Sequence, residues 1–537
     1  MTAPLSSPAL HRPRPKVAVI GAGPGGLAAA MLLAASGARV TVYEKDSVVG
    51  GRTRTLTSPE GYSFDLGPTF FLYPRILKEI FSRCGAELES EVDLRRLEPQ
   101  YRLIFEQGSP DAGNPPTRID ASADMARMEA EIARISPEDA RGLRPFMAEN
   151  RAKLEAFRPV LERAFSTAAD MVRPDMLKAL PLMKPWSTVD RDLARHFKDP
   201  RVRLAFSFQT KYLGMSPFKC PALFTILSFL EYEHGVFHPI GGCGAVSDAM
   251  ARVAQRLGAE IRLDTPVEGI AFEGRRARGV DVGGRVQDAE AVVVNADFAH
   301  AIPKLIPDHL RKRGWTDRKI GKAKYSCSTF MLYLGLDKEL PGVAHHNVIL
   351  SEQYRENIGQ IERGEIPEIP SLYVQHAGAT DPTLAPAGHT ALYVLVPAPN
   401  LIVRPDWSAH CARFREIALD RLKVLGHGDL RPHIRYERIV APPDWESDFG
   451  VGFGATFNLS HELPQMLLFR PGNRFREVEG VYLVGGGTHP GSGLPVIYEG
   501  ARITTGLLAK DLGLSGAPSR PTAESGFRAA TPVAAES

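Results

Sequence analysis

The chain has 537 residues, of which 44% are hydrophobic, and a formal net charge of +3. This length exceeds one ordinary hydrophobic core, so we expect two or more domains, and the small net charge argues against a nucleic-acid-binding protein. The five cysteines are scattered without a CxxC pair, which favours reduced thiols in a cytoplasmic protein. No stretch approaches the roughly 20 apolar residues of a spanning helix, so we expect any membrane contact to be peripheral.

The N-terminal segment predicts a strand, a tight turn, a helix and a second strand. The β-branched run Val17–Ile20 leads directly into Gly21, Gly23 and Gly26, which open an alanine-rich helix. Glycine permits the turn and lets the backbone approach a pyrophosphate at the positive end of the helix. The second strand ends at Glu44, where a carboxylate can accept hydrogen bonds from a ribose diol and disfavours a 2′-phosphate. The segment therefore predicts a dinucleotide site.

Two further motifs narrow the choice of dinucleotide. Gly50, Gly51 and Arg52 follow the second strand, and YSFDLGPT follows at Tyr62–Thr69. Neither motif is typical of simple NAD dehydrogenases, and both resemble flavoproteins of the amine oxidase and carotene desaturase kind. Arg52 could supply a permanently charged, planar donor to phosphates, although a surface arginine is the simpler interpretation of that residue alone.

A helical region is expected next. Residues 122–195 show long helical patterns with alternating charges. Within them, the segment 172–188 combines Arg173, Lys178 and Lys184 with apolar side chains that include Trp186, a mixture suited to a lipid headgroup layer. A packed helix with a solvated basic face explains the same pattern equally well.

The patterns after residue 235 predict a return to the nucleotide-binding fold. A glycine-rich entry precedes a helix and a strand that is expected to end near Val267, and further strands are expected at Arg278–Val282 and Glu290–Asn295. Alternating runs at Tyr325–Leu336 and Thr390–Val396 predict an antiparallel substrate sheet.

The last predicted strand, Gly480–Val484, leads into three glycines and a helix that begins near Leu494 or Pro495. We therefore expect an FAD-binding domain from residues 16–110, 235–300 and 475–514, a helical substrate and membrane domain at 120–234, an antiparallel-sheet substrate domain at 301–474, and ends without fixed structure at 1–15 and 515–537.

Together these segments resemble the bacterial phytoene desaturase family of FAD-dependent carotenoid enzymes. The resemblance runs through GGRTRTLTSPEGYSFDLGPTFF, HGVFHPIGGCGAVSDAM, VVVNAD, AHHN, TDPTLAPAGHT, FRPGNR and VGGGTHPGSGLP. It implies an α/β fold with a Rossmann-like FAD-binding domain, an antiparallel-sheet substrate domain and an inserted, membrane-associating helical domain. Two departures from the family are Cys243 in the GG-x-G turn and Tyr498-Glu499-Gly500 after the last motif. The second lies near the expected flavin position and leaves open a subfamily that acts on an oxidised or shorter polyene.

The resemblance also implies a set of FAD contacts. The expected contacts are Gly21, Gly23 and Gly26 at the pyrophosphate, Glu44 at the adenosine ribose, Gly51 and Arg52 along the phosphates, Val267 at adenine, Gly486 at the phosphates or ribityl chain, and Gly493, Pro495 and Val496 at the isoalloxazine.

The sequence leaves the catalytic acid or base open. Glu231, His234 and His238 lie close together, and the two histidines have the i,i+4 spacing that a metal could use on a helix. The glycine and proline beside them argue against a continuous helix, so we expect no metal. Glu231, His238 or His489 could take the proton lost opposite the hydride, but a structural role is favoured for each.

The resemblance implies an FAD-dependent desaturase that introduces double bonds into phytoene or its thirty-carbon analogue diapophytoene. A hydride would pass to the flavin, and electrons would leave to quinone or oxygen, at a membrane surface on the cytoplasmic side. The alternatives are a carotenoid oxidase, isomerase or saturase on the same scaffold, an FAD-dependent amine oxidase, and a carotenoid-binding flavoprotein without activity.

Overall fold

This computed structural model describes residues 13–106, 117–312 and 314–514. The expectation for the C-terminal segment 515–537, and for residues 1–12 of the N-terminal segment, lies outside the described residues. The five cysteines are all described, and none forms a disulfide with another. In the described ranges no helix is long and apolar enough to cross a membrane.

Twenty strands are assigned within the described residues. Their bounds are β1 Lys16–Ile20, β2 Arg39–Tyr43, β3 Thr55–Thr57, β4 Ser63–Asp65, β5 Phe71–Leu72, β6 Leu94–Arg96, β7 Tyr101–Phe105, β8 Thr117–Ala121, β9 Val236–Pro239, β10 Glu260–Arg262, β11 Gly269–Glu273, β12 Arg276–Val282, β13 Arg285–Asp288, β14 Ala291–Val294, β15 Ser328–Leu336, β16 His346–Leu350, β17 Leu372–Gln375, β18 Thr390–Ala398, β19 Ile434–Val440 and β20 Val481–Leu483.

Seventeen α-helices are assigned in the same part of the chain. Their bounds are α1 Pro24–Ala35, α2 Arg75–Arg83, α3 Leu88–Glu91, α4 Met125–Ala133, α5 Pro137–Ala140, α6 Leu143–Leu161, α7 Pro174–Met183, α8 Val189–Leu193, α9 Pro200–Ala205, α10 Ile226–His234, α11 Cys243–Arg256, α12 Phe298–Leu305, α13 Asp317–Lys322, α14 Tyr354–Glu362, α15 Cys411–Arg421, α16 Pro442–Ser447 and α17 Leu494–Leu512.

A five-stranded parallel sheet has the order β10-β2-β1-β14-β20. Apart from the exposed Lys16 at its start, β1 consists of Val, Ala and Ile, and β14 consists of Ala and Val, as strands buried on both faces require. Helices α1, α11 and α17 pack together in one core cluster on this sheet, and β11, β12 and α12 contribute to a second cluster with the same sheet. The loops after β1, β2, β14 and β20 meet at the carboxyl edge of the sheet, where open α/β sheets bind ligands.

One strand boundary differs from the sequence prediction. The strand expected to end near Val267 ends at Arg262. Asp264 has a φ of +50°, which a strand does not use, and Pro266 has no N–H group to donate to a neighbour. Val267 therefore lies in the connection between β10 and β11.

The second sheet has seven strands in the order β19-β15-β18-β17-β16-β7-β8. The antiparallel runs expected at Tyr325–Leu336 and Thr390–Val396 form β15 and β18, which pair antiparallel at its centre. The sheet is nevertheless mixed, because β7 pairs parallel with β16. Strand β7 falls inside the expected FAD-binding segment 16–110, but the structure places it in this sheet.

The helices α4 to α10 surround the largest apolar cluster found among the described residues, which also includes β7 and β8 side chains. Lys153 on α6 is buried in this region, where its ammonium lies 3.1 Å from a carboxylate oxygen of Asp192. This helical layer and the seven-stranded sheet share a boundary at β7 and β16, since Val348 and Leu350 belong to the same cluster.

Candidate functional site

The turn after β1 brings backbone groups closer together than any side chain would permit. Gly21 has a φ of +95°, and a Cβ atom built on it would lie 2.4 Å from the Asn295 carbonyl oxygen. A Cβ atom on Gly26 would lie 2.1 Å from the Gly21 carbonyl oxygen. Helix α1 begins after Gly23 without a side-chain cap, so its first N–H groups can bind an anion.

Glu44 lies beside this turn, at the end of β2. One carboxylate oxygen accepts the Ala22 N–H at 2.7 Å, and the other accepts the Asp46 N–H at 3.0 Å. Burial raises the pKa of this carboxyl, and the two backbone hydrogen bonds oppose that shift. Each carboxylate oxygen can accept a further hydrogen bond, so the group can still receive a ribose diol. The Thr265 N–H donates to the Glu44 carbonyl at 2.7 Å, which brings the connection containing Val267 to this edge.

The second glycine motif packs directly on the first. The Gly50 N–H donates to the Ala22 carbonyl at 2.8 Å, and a Cβ atom on Gly51 would lie 3.4 Å from the Gly23 Cα atom. Arg52 is half-buried, and its guanidinium donates to the Thr456 carbonyl. Burial lowers the pKa of Arg52, and the nearby Asp297 carboxylate opposes that shift. A contact between Arg52 and phosphates remains a prediction.

The C-terminal VGGGTHPGSGLP motif and the helix that begins at its end also pack against the first glycine turn. A Cβ atom on Gly25 would lie 2.4 Å from a Val484 methyl group and 3.0 Å from an Ile497 methyl group. Gly493 has a φ of +104° and precedes α17, whose N-terminus also has no side-chain cap. Pro495 and Val496 form the partly buried first turn of α17. Two uncapped helix N-termini therefore open near one glycine-rich turn.

Gly486 lies in the loop between β20 and α17. A Cβ atom on it would lie 3.1 Å from the Ser492 hydroxyl, so this loop is folded tightly on itself. Asn295 joins the loop to the first turn, because its amide donates to the Gly21 carbonyl at 3.1 Å and lies beside Gly25 and Gly485. Asn295 belongs to the VVVNAD motif and directly follows β14, the strand paired with β1. That position is the signal in the sequence for a side chain that links the two glycine loops.

These residues fit a dinucleotide whose two ends differ. The first helix N-terminus and Glu44 suit the phosphates and a ribose, and the second helix N-terminus suits an electron-rich ring.

The chain matches the family described as "Flavin containing amine oxidoreductase" over residues 24–503. It belongs to this family. It is 43% identical over 499 residues to a 4,4'-diapophytoene desaturase (4,4'-diapolycopene-forming) of Methylomonas sp, covering 92% of this chain and 95% of the relative. It is also 42% identical over 514 residues to an all-trans-zeta-carotene desaturase of Myxococcus xanthus. That match covers 94% of this chain and 95% of the relative.

Among solved structures, an oxidoreductase from Methanosarcina mazei has a TM-score of 0.60 at 19% identity, covering 90% of this chain and 98% of the other. That likeness confirms the α/β flavoprotein fold expected from the sequence. The family and its relatives identify the chain as an oxidoreductase whose cofactor is FAD, a group that accepts a hydride and returns two electrons.

A short segment connects the flavin site to an aromatic cluster. Gly67 of the YSFDLGPT motif packs so closely that a Cβ atom on it would lie 2.8 Å from the Arg52 carbonyl oxygen. Phe70 follows this segment, and its ring stacks on His346 with centroids 4.1 Å apart. We define the Phe70 cluster by the rings in contact with Phe70, which are Tyr101, Tyr212, His346 and Tyr373.

Glu231 lies behind the Phe70 cluster and is completely buried. Tyr101 and Gln209 donate to one carboxylate oxygen at 3.0 Å and 3.1 Å. The Tyr212 hydroxyl lies close to the same carboxyl. Burial raises the pKa of Glu231 to about 7, and the surrounding donors oppose that shift. The carboxyl can therefore gain or lose a proton near neutral pH.

The two candidate histidines are held differently. His238 lies on β9, with Nε2 3.2 Å from an Asp381 carboxylate oxygen. His489 donates through Nε2 to the Arg163 carbonyl at 2.9 Å, and burial lowers its pKa to about 4. Helix α10 ends at His234, so His234 and His238 do not share a helix face. Throughout the described ranges, no group of three His, Cys, Asp or Glu side chains is arranged to hold a metal ion.

Proposed function

We propose that this protein is an FAD-dependent desaturase of acyclic carotenoid precursors, either phytoene or its thirty-carbon analogue diapophytoene. The observation that carries the proposal is that the short segment from Gly67 to Phe70 places an aromatic cluster, the Phe70 cluster, next to the flavin site. A hydrocarbon offers no charged group, so it binds through apolar burial at about 25 cal/mol per Å². The relatives named as desaturases match more than nine-tenths of this chain.

Each desaturation removes two hydrogens from adjacent carbons. One leaves with its electron pair to the flavin, the other leaves as a proton, and the C–H electrons left behind form the double bond. We assign the proton to Glu231, because it is a completely buried carboxyl behind the Phe70 cluster and its pKa is about 7. His489, with a pKa of about 4, is a weaker base. The FAD electrons would then pass to quinone or oxygen.

The same proposal includes a membrane surface, from which a polyene would enter. Helix α7 buries Met176, Ala179 and Met183 but exposes Leu177 and Leu180. Val172 and Trp186 flank the helix, and their side chains are 65% and 70% exposed. An exposed apolar group of this size on one helix is typical of a lipid contact.

Of the three basic side chains that segment 172–188 contributes to the expected headgroup contact, only two face outward. Arg173 and Lys178 are exposed. Lys184 instead turns inward, where its ammonium lies 2.7 Å from an Asp192 carboxylate oxygen and also pairs with Glu149. The expectation that Lys184 lies with the headgroups is wrong, because two carboxylates of the helical layer hold it.

The desaturation is tested by expression in cells that make either phytoene or diapophytoene, with pigments resolved by chromatography and mass. Loss of two hydrogens per step in either strain supports the proposal. Unchanged polyene in both strains, with FAD bound to the protein, supports a carotenoid-binding flavoprotein instead. A product that gains oxygen supports an oxidase, and reduction of the flavin by an amine supports an amine oxidase.

The membrane contact is tested by sedimentation with phosphatidylglycerol-containing vesicles. The double change Leu177→Glu and Trp186→Glu is expected to weaken binding at least about tenfold, since it removes two apolar side chains from the contact. Val286→Glu is the control, because Val286 is 53% exposed on β13 of the flavin-binding layer. Equal binding by the double variant and the control would contradict the assignment of α7.

A further inference from the structure

The FRPGNR motif contains a buried arginine without a carboxylate partner. Arg470 is 2% exposed. Within the described ranges its guanidinium forms no ion pair, and burial lowers its pKa to about 9, so it is charged at neutral pH. Buried charges in proteins are ordinarily paired, so an unpaired one is costly.

Backbone carbonyls take the place of a counter-ion. A guanidinium has five N–H groups, and Arg470 uses all of them. Nε donates to one carbonyl, and each terminal nitrogen donates to two. The acceptors are Thr488 at 3.3 Å, Ser460 at 3.2 Å, Gln465 at 3.4 Å, Leu459 at 3.2 Å and Gly486 at 2.7 Å.

These acceptors belong to two loops that are distant in sequence. Residues 459–465 follow the substrate-sheet layer, and Gly486 and Thr488 lie between β20 and α17. Asn473 continues the attachment, because its amide donates to the His489 carbonyl at 2.9 Å and to the Thr504 hydroxyl at 3.1 Å. The motif therefore forms the support beneath the loop that begins the second half of the flavin site.

We infer that Arg470 is a positioning residue for FAD, which fixes the Gly486–Thr488 loop and places an uncompensated positive charge behind the flavin site. The inference rests on the FAD contact proposed for Gly486. Five bonds in a planar fork fix the loop more closely than a single point charge could. A fixed positive charge near a flavin favours its anionic reduced form over its neutral oxidised form.

His461, a titratable ring close to Arg470, does not compensate or add to this charge. His461 accepts the Ser492 N–H through Nε2 at 3.0 Å, so that nitrogen carries a lone pair. Burial, together with Arg470, lowers the pKa of His461 well below its usual value, and the ring is neutral. The charge of Arg470 is therefore neither offset nor increased by His461.

The test compares Arg470→Lys with Arg470→Met in the full chain loaded with FAD. Lysine keeps the charge but has three donors, so Arg470→Lys is expected to bind FAD at least tenfold more weakly while its flavin midpoint potential changes little. Methionine removes both the charge and the donors. In Arg470→Met the affinity for reduced FAD is therefore expected to fall about tenfold more than the affinity for oxidised FAD. This difference lowers the two-electron midpoint potential by about 30 mV.

Arg311→Met is the matched control. Arg311 is equally buried and donates to two backbone carbonyls, but it has the Asp317 carboxylate as a partner and packs under α13. Its loss is expected to lower the unfolding temperature without moving the flavin potential.

The results separate three situations. Wild-type FAD affinity and potential in Arg470→Met would overturn the inference, as would an equal change of potential in Arg311→Met. If Arg470→Met does not fold, Arg470→Lys decides, because wild-type FAD affinity in a folded Arg470→Lys would equally overturn it. Failure of the wild-type chain to bind FAD would instead contradict the proposed function.

Discussion

Glu231→Gln is expected to stabilise the protein at alkaline pH while it abolishes desaturation. The folded-state pKa of Glu231 is about 7, against an ordinary value of 4.5. The raised pKa means that the folded state binds the proton more tightly, so this stabilisation is present below about pH 4.5 and is lost as the pH rises through 7. The difference corresponds to about 3 kcal/mol of unfolding free energy at alkaline pH, at roughly 1.36 kcal/mol per pKa unit.

The assay is urea unfolding of wild-type and Glu231→Gln protein at pH 5 and pH 8. Glutamine stays neutral, whereas Glu231 of the wild type loses its proton as the pH rises. The unfolding free energy of the variant, measured relative to wild type, should therefore be larger at pH 8 than at pH 5. Glu233→Gln on the same helix is the control, since Glu233 pairs with Arg151 at the surface and should show no such change. A difference between wild type and Glu231→Gln that is the same at both pH values, or a Glu231→Gln protein that still desaturates, would refute the reasoning.

Three further outcomes are expected. Gly26→Ala should lose FAD, because its methyl group would lie 2.1 Å from the Gly21 carbonyl oxygen. Gly506→Ala in α17 is the control, since no atom lies within 4 Å of the added methyl group. The control should keep the wild-type ratio of flavin absorbance to protein absorbance. Glu44→Gln should weaken FAD binding about tenfold in an equilibrium titration, since charge-assisted hydrogen bonds to a ribose are lost. Removal of FAD should lower the unfolding temperature of the wild type, by an amount that disappears when excess FAD is restored.

The sequence predicted the elements whose signal is local. A β-branched run, a glycine turn and an alanine-rich helix lie within twenty residues, so the strand, the turn and α1 are found where the pattern placed them. The C-terminal helix was expected near Leu494 or Pro495 and begins at Leu494, because Gly493 needs a positive φ and proline fits the first helical turn.

Features that depend on distant partners could not be predicted in the same way. Strand β7 was assigned to the wrong layer, because its parallel partner β16 lies more than 240 residues away and pattern alone does not select a partner. Lys184 looked like a surface lysine, because Glu149 and Asp192 are brought to it only by the packing of three helices. His346 and Tyr373 became visible as neighbours of Phe70 only in the folded chain.

The contrast between buried charges supports the roles given to Glu231 and Arg470. Lys153 pairs with Asp192, and Arg421 pairs with Glu106, as buried cations ordinarily do. In the described structure Arg470 donates to backbone carbonyls without an ion pair, and Glu231 accepts from neutral side chains. Both groups are costly to bury without an ion pair, and both lie next to the proposed chemistry, Arg470 beneath the flavin loop and Glu231 behind the aromatic cluster. Structural packing alone would favour a neutral side chain at both positions.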